Sequence, residues 1–231
     1  MSLSAHISHE FESELATVRQ KILAMGHQVD EVLEASGRAL MGRDVALAND
    51  IILGDRETDS MELEIDHLCF EILARRQPVA GDLRLLTSAL KLVVDLERIG
   101  DLGVSIAERV VELGKGPPLY TYDDLMRMLT TVREMVSEGL AALFEHSPER
   151  ASRVIDKDEV VDAYYTQVFN QLLSRMRENP DDITRATQIQ AISKYIERIG
   201  DHATNIAERV IFVLTGDDIR HLPRLKRRDL S

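Results

Sequence analysis

The sequence predicts an all-α protein that consists of two tandem three-helix bundles related by internal duplication. Three observations predict this fold class: the placement of the prolines, apolar stripes with helical spacing, and a long motif that occurs twice. They predict a first bundle over residues 1–115, a second over 119–216, and a basic C-terminal tail over 217–231.

The prolines divide the chain into segments long enough to be helices. They are Pro78, Pro117, Pro118, Pro148, Pro180 and Pro223. Proline disrupts a helix interior but is tolerated in the first turn, so we expect each of them at a helix boundary. With Gly42 as a further stop, the predicted helices cover 6–41, 44–76, 80–114, 121–146, 148–178 and 181–215.

Apolar residues recur at alternating spacings of four and three along these segments. In the third segment they are Leu85, Ala89, Leu92, Leu96, Ile99, Gly103, Ile106, Val110 and Leu113. Such a stripe is what the helices of a bundle bury against one another. Aromatic residues make up only 4% of the chain and Trp is absent, so we expect an aliphatic core of closely packed helices.

The chain also repeats itself. Residues 97–110 read ERIGDLGVSIAERV and residues 197–210 read ERIGDHATNIAERV, which are identical at ten of fourteen positions. The apolar stripe recurs with the motif, and the stretch at 114–118 (GKGPP) is a strong helix breaker between the copies. Each copy is therefore predicted to contain three helices, with short connections that make neighbours antiparallel.

Charge and composition exclude several classes of protein. The net charge of −12 predicts repulsion from nucleic acids and anionic membranes, so we expect no nucleic-acid partner. The single cysteine, Cys69, rules out an internal disulfide, and the start of the sequence has no signal-peptide pattern. These features predict a cytoplasmic protein, with the cationic residues of the tail forming a solvated arm: Arg220, Arg224, Lys226, Arg227 and Arg228.

Two helices of each copy carry carboxylates spaced by four residues and placed beside the apolar stripe. The pairs are Asp55/Asp59, Glu97/Asp101, Asp158/Asp162 and Glu197/Asp201. Like charges at this spacing repel by a few tenths of a kcal/mol, whereas two facing pairs would supply hard oxygen ligands to a cation. We predict that these eight carboxylates bind metal. Ordinary solvated faces remain the alternative, because duplication alone would preserve the pattern.

Three further residues near these carboxylates are candidates for a role. Gly100 and Gly200 lie in helix interiors, where we expect them to permit close packing, or alternatively to clear space for a ligand. His202 follows Asp201 and is a possible auxiliary ligand, although Leu102 replaces it in the first copy.

The repeated ERIGD and IAERV motifs, with the acidic pairs in DRETD (55–59) and DEVVD (158–162), resemble the PhoU family over residues 6–215. The resemblance implies a cytoplasmic negative regulator of the phosphate-starvation response, which couples the ATPase of a phosphate ABC transporter to a sensor histidine kinase. It also implies iron, zinc or another divalent metal on the eight carboxylates, and a homodimer is expected.

This sequence departs from the family pattern in two places. Leu102 stands where family copies commonly have His, which argues against equal metal occupancy of the two copies. The start of the sixth helix lacks the Leu83-Arg84 pair of the third, which argues against equal partner contacts.

Two other functions compete with this interpretation. A di-iron enzyme needs two Glu-x-x-His pairs, and the chain has only Glu64 and His67 at that spacing, so we expect no enzymatic activity. A metal-binding helical protein or adapter without a role in phosphate signalling is the second alternative.

Overall fold

The computed structural model describes residues 3–119 and 121–219, with side chains from residue 9 onward, and contains seven α-helices and one short 3₁₀ helix. The helices are α1 (Leu3–Gly42), α2 (Val45–Leu53), α3 (Arg56–Arg76), α4 (Ala80–Leu113), α5 (Asp123–Glu145), α6 (Pro148–Glu178) and α7 (Ile183–Thr215), with the 3₁₀ helix over Pro180–Asp182. The described ranges contain no strand. None of their helices is long and apolar enough to cross a membrane.

The predicted duplication of an all-α bundle is confirmed. Helices α1 to α4 form the first copy, and α5, α6 and α7 form the second. The two apolar stripes are buried at matching positions, for example Leu96 and Ile99 in α4 and Ile196 and Ile199 in α7. Burial of these aliphatic stripes is what drives the helices of each copy together.

One predicted helix is divided into two. The segment expected as a single helix over 44–76 ends at Leu53 and begins again at Arg56. The amide of Gly54 donates to the carbonyl oxygens of Asp50 and Ile51, both at 3.1 Å, and closes α2. Glycine costs roughly 1 kcal/mol in a helix interior, and Gly54, unlike Gly100, has no side chain of another described helix within 4 Å of its Cβ position to offset that cost. The break places Asp55 just before the first residue of α3.

The glycine of each repeated motif lies where a neighbouring helix comes close. A Cβ atom on Gly100 would lie 3.2 Å from Cγ2 of Thr58 in α3. A Cβ atom on Gly200 would lie 3.4 Å from Cγ1 of Val161 in α6. The predicted role in close helix packing therefore holds for both glycines, and in the first copy it brings α3 and α4 together beside Asp59 and Asp101.

The two copies pack against each other through α4 and α7, with a buried carboxylate between them. Asp95 is only 5% exposed and accepts hydrogen bonds from Nδ1 of His202 and Nε of Arg209, both at 2.9 Å. Further along, Nη1 of Arg109 donates to Oε1 of Gln188 at 3.1 Å. From Asp95 to Arg109 the contacts move towards the end of α4, whereas their partners in α7 move back from Arg209 to Gln188. The two helices are therefore antiparallel.

The charges around Asp95 decide its ionisation. Burial alone would raise the pKa of Asp95, but the hydrogen bonds and positive charges of His202 and Arg209 outweigh burial and lower the pKa. Asp95 is therefore an ionised link between the copies.

The predicted boundary between the copies falls in the connection after α4, whereas the basic residues of the predicted tail lie outside the described residues.

Candidate metal centre

Three of the eight predicted ligands meet between α3 and α4. One carboxylate oxygen each from Asp59, Glu97 and Asp101 lies within 4.8 Å of the other two. Asp59 follows Thr58 and Asp101 follows Gly100, so the close contact of that glycine with α3 determines the spacing of the carboxylates.

Glu97 is the most enclosed of these three carboxylates. Its side chain is 14% exposed, and its Oε2 atom is buried without a hydrogen-bond partner in the described residues. Nε of Arg98 lies 3.2 Å from that oxygen as an ion pair without hydrogen-bond geometry. Burial is the main effect that raises the pKa of Glu97 to about 7, and the negative charge of Asp101 adds to it, although the positive charge of Arg98 opposes the shift.

Three more carboxylates surround this group on the α3 side. Burial raises the pKa values of Asp55, Glu62 and Asp66. The charges of Asp101 and Asp59 add to the effect at Asp55, and the charge of Asp66 adds to it at Glu62. Oδ1 of Asp66 is also buried without a hydrogen-bond partner among the described side chains. We call the six residues the first-copy cluster: Asp55, Asp59, Glu62, Asp66, Glu97 and Asp101.

Protein cations compensate this negative charge poorly. Nη1 of Arg98 lies 3.0 Å from Oδ2 of Asp101, but the arginine side chain is 54% exposed. In the described part of the chain, Arg98 is the only cation within 4.0 Å of a carboxylate of the first-copy cluster. Exposed ion pairs of this kind stabilise a protein by about 0–1 kcal/mol, so the cluster retains most of its repulsion.

The donor set fits a divalent cation. Convergent carboxylate oxygens are hard ligands, and the buried, unpartnered Oε2 of Glu97 is an acceptor without a donor of its own. Asp59, Glu97 and Asp101 would hold the ion, with Asp55 adjacent. The structure therefore brings together three of the four predicted first-copy ligands, without Asp55, and metal binding stays a prediction.

The second copy is arranged differently. Nζ of Lys194 lies 2.8 and 2.7 Å from the two carboxylate oxygens of Glu197 and 5.6 Å from the ring centre of Tyr165. Asp158 is buried and Asp162 is exposed, and these described carboxylates form no triple group like the one in the first copy. Val94, which is 40% exposed, stands at the position that corresponds to Lys194.

Comparison with known protein families also divides the chain into the two copies. The family model described as "PhoU domain" matches residues 22–110 and 125–210, one match in each copy. The chain belongs to the PhoU family.

Relatives in this family match nearly the whole chain. A PhoU homolog of Pseudomonas aeruginosa, named as a phosphate-specific transport system accessory protein, is 40% identical over 96% of this chain and 92% of its own length. The homolog of Rhizobium meliloti with the same name is 38% identical over 92% of this chain and 90% of its own length.

Solved structures agree in fold. The crystal structure of PhoU from P. aeruginosa superposes with a TM-score of 0.86 at 39% identity, covering 90% of this chain and all of that one. The phosphate transport system regulatory protein PhoU from Streptococcus pneumoniae gives a TM-score of 0.84 at 29% identity, covering 90% of this chain and 98% of that one.

Other candidate residues of this PhoU-family chain lie elsewhere. His202, the possible auxiliary ligand, instead contacts Asp95, with its Nδ1 atom 2.9 Å from Oδ1 of that residue. Glu64 pairs with Lys21 at 2.7 Å, and His67 is 78% exposed beside Glu71, so the two do not build a di-iron site. Cys69 is a buried free thiol, and burial raises its pKa to about 12, as expected of a core residue.

Sequence reasoning missed Asp95 and Lys194. Both occupy positions where the copies differ: Tyr195 corresponds to Asp95, and Val94 to Lys194. A residue-by-residue comparison of the two copies was the available signal.

The raised pKa of Glu97 predicts how the stability of the metal-free protein depends on pH. A carboxyl group with a higher pKa in the folded state favours folding at low pH. That contribution is lost as the pH rises from about 4.5 to about 7. We expect the free energy of unfolding of wild type to fall by about 1–3 kcal/mol relative to Glu97→Gln between pH 4 and pH 8.

Urea unfolding of EDTA-treated protein at several pH values measures this difference. Glu134→Gln, which removes an exposed carboxylate paired with Lys157 at 3.0 Å, is the control and should follow wild type. Parallel pH profiles for wild type and Glu97→Gln would show that Glu97 has no raised pKa.

Proposed function

We propose that this protein is a regulatory accessory protein of a phosphate-specific transport system. In this function it restrains phosphate uptake and the phosphate-starvation response by coupling the ATPase of a phosphate ABC transporter to a sensor histidine kinase. The observation that carries the proposal is the 40% identity, over 96% of this chain, to a protein named as such an accessory protein. The same repeat and fold extend over the whole match.

The proposed role is cytoplasmic and non-enzymatic, and the expected oligomeric state is a homodimer. The relatives are named accessory proteins, which supports regulation through contacts with partners. The acidic side of α3 and α4, where Asp59, Glu97 and Asp101 converge, is the contact surface that we propose for partners.

We also propose that the first-copy cluster binds a divalent metal ion. Asp59, Glu97 and Asp101 would be ligands, and Asp55 would complete the set on the α3 side. A bound cation supplies positive charge to an acidic face, which allows that face to attract phosphate or an acidic partner group. The second-copy carboxylates Asp158, Asp162, Glu197 and Asp201 would form a weaker site.

The second site should be weaker because Lys194 must leave Glu197 before that carboxylate can bind a metal. Exchanging the two corresponding residues tests this reasoning. We expect Lys194→Val to tighten manganese binding in the second copy by up to about fivefold and Val94→Lys to weaken it by up to about fivefold in the first. The Lys194 side chain is 49% exposed, so its ion pair with Glu197 contributes up to about 1 kcal/mol, which corresponds to changes of this size.

Calorimetric titration of EDTA-treated protein with Mn²⁺ measures both sites. Lys115→Val, which removes an exposed lysine paired with Glu112 at 2.8 Å just after α4, is the matched control, because this pair has the same i,i+3 spacing as Lys194 and Glu197. Equal affinities for Lys194→Val and wild type would mean that Lys194 does not compete with a cation.

Deletion of the gene in its host tests the regulatory function. We expect a phosphate-starvation reporter such as alkaline phosphatase to become constitutive in high-phosphate medium and to fall silent again when the wild-type gene returns. A reporter that stays off in the deletion strain would contradict the proposal and favour a metal-binding helical protein without a signalling role.

A further inference from the structure

The second copy has a concavity between α5 and α6 that is lined mainly by cationic side chains. Its volume is about 290 Å³, and the residues that line it are Glu138, Arg150, Arg153, Val154 and Lys157. A water molecule occupies about 30 Å³ in the liquid, so this volume accommodates a small ion together with several waters. Three cations around one carboxylate suit the concavity to an anion, although the whole chain has a net charge of −12.

The three cations lie along one side of α6. Arg150, Arg153 and Lys157 follow one another at spacings of three and four residues, which places them on successive turns of the same helix face. When the DRETD (55–59) and DEVVD (158–162) segments are aligned, the corresponding residues of the first copy are Leu47, Asp50 and Gly54. The duplicated fold is therefore built in the first copy without a basic row, and helix packing does not explain the row in the second.

Glu138 is the only carboxylate among the described residues of the lining. Nε of Arg150 donates to its Oε2 at 2.6 Å, and Nη2 of Arg150 donates to its Oε1 at 3.2 Å. The hydrogen bonds with Arg150 lower the pKa of Glu138, and the charges of Lys157 and Arg153 act in the same direction, although burial opposes the shift. The ionised carboxylate has lone pairs left over and can accept a further hydrogen bond.

The other acids that pair with these cations stand at the rim of the concavity. Glu145 pairs with Arg150, and Oε2 of Glu134 lies 3.0 Å from Nζ of Lys157. Both rim carboxylates are 57% exposed, and exposed ion pairs are weak, so an anion in the concavity can replace them. Arg153 is exposed and takes part in neither pair.

A carboxylate surrounded by cations favours an anion that carries a proton. Guanidinium and ammonium groups donate to the oxygens of phosphate and sulfate alike. Sulfate has no hydrogen to donate, so the Glu138 carboxylate repels it. Hydrogenphosphate keeps one P–OH group at neutral pH and can donate it to that carboxylate. A site that accepts a hydrogen bond from a ligand hydroxyl discriminates against analogues that lack the hydroxyl.

We propose that the concavity between α5 and α6 binds inorganic phosphate. Arg150, Arg153 and Lys157 donate to the phosphate oxygens, and the P–OH group donates to Glu138. The site uses no carboxylate of the first-copy cluster and needs no metal ion. Through it the protein itself would respond to the phosphate concentration. That consequence for regulation rests on the proposed function, whereas the binding of phosphate does not.

Calorimetric titration of the full, EDTA-treated chain at pH 8 with phosphate, sulfate and phenyl phosphate tests the proposal. EDTA removes metal ions through which phosphate could bind to the first-copy cluster. At this pH each anion carries about two negative charges, but only inorganic phosphate retains a proton. We expect phosphate to bind at least about fivefold more tightly than either of the other anions. Equal binding of sulfate would make the concavity an unselective cationic surface, and tighter binding of phenyl phosphate would assign it to a phosphate ester; both results contradict the proposal.

Two variants test the assigned residues. Arg153→Gln should weaken phosphate binding about tenfold, because it removes a charge-assisted hydrogen bond. Glu138→Gln should bring the affinities for phosphate and sulfate within about twofold of each other, because the uncharged amide no longer repels sulfate. A purely structural role of Glu138 would instead change the two affinities by the same factor.

Arg177→Gln is the matched control for Arg153→Gln. It removes another exposed arginine of α6 and changes the net charge equally, but it lies about 36 Å further along the helix. We expect it to bind phosphate like wild type. Absence of phosphate binding up to about 10 mM in the folded wild type, or equal affinities for Arg153→Gln and Arg177→Gln, would overturn the proposal. Because the titration uses metal-free protein and no reporter, either result leaves the proposed regulatory function and the metal site untouched.

Discussion

Replacing Asp95 with alanine should destabilise the protein far more than removing a carboxylate from an exposed ion pair. Asp95 is the buried acceptor for His202 and Arg209 between the two copies, and its side chain is 7% exposed. Removing one partner of a buried ion pair leaves the other charge uncompensated and costs about 3–5 kcal/mol. We expect Asp95→Ala to lower the free energy of unfolding by that amount, as measured by urea denaturation at pH 7.

Asp30→Ala is the matched control for this prediction. Asp30 pairs with Arg133 at 2.7 Å, but its side chain is 43% exposed and Glu34 remains to pair with the same arginine at 2.9 Å. We expect a loss below about 1 kcal/mol. If Asp95→Ala and Asp30→Ala lose similar amounts, Asp95 does not hold the two copies together.

The largest effect on metal binding should come from the double variant Glu97→Gln/Asp101→Asn. It replaces two of the three carboxylates that converge in the first copy with uncharged amides of the same shape. Loss of outer-shell partners alone weakens metal sites by about 10–100-fold, so loss of two ligands should weaken Mn²⁺ binding to the first copy at least about 100-fold. Calorimetric titration and metal analysis of protein purified without affinity metals measure the change.

The double variant should remain folded. Its metal-free form should be as stable as wild type or more stable, because the substitutions remove mutual repulsion between carboxylates. Asp30→Asn/Glu34→Gln is the control, since this pair has the same spacing but Arg133 already neutralises it. Unchanged manganese binding in Glu97→Gln/Asp101→Asn would show that the first-copy cluster is an ordinary acidic surface.

The sequence was sufficient for the fold because each helix carries its own periodic stripe. Residues such as Leu96 and Ile196 identify the buried side of a helix without knowledge of its neighbours, and the ERIGD motif shows the duplication directly. The break at Gly54 was missed because a single glycine within a periodic segment is compatible with a continuous helix.

The site was predictable only in part, because spacing along one helix does not tell which helix it faces. Asp59, Glu97 and Asp101 were identified from their spacing and do converge. The link from Asp95 to Arg209 depends on how α4 crosses α7, which no local pattern contains. The contact of Lys194 with Glu197 lies within one helix and was accessible, but it required comparing unlike positions of the two copies.

Complementation of the deletion strain with cluster variants tests most directly whether the protein regulates phosphate uptake through the first-copy cluster. Wild type and Asp30→Asn/Glu34→Gln should silence the phosphate-starvation reporter in high-phosphate medium, whereas Glu97→Gln/Asp101→Asn, present at the same level, should leave it on. Silencing by Glu97→Gln/Asp101→Asn as complete as that by wild type would contradict a regulatory role for this cluster.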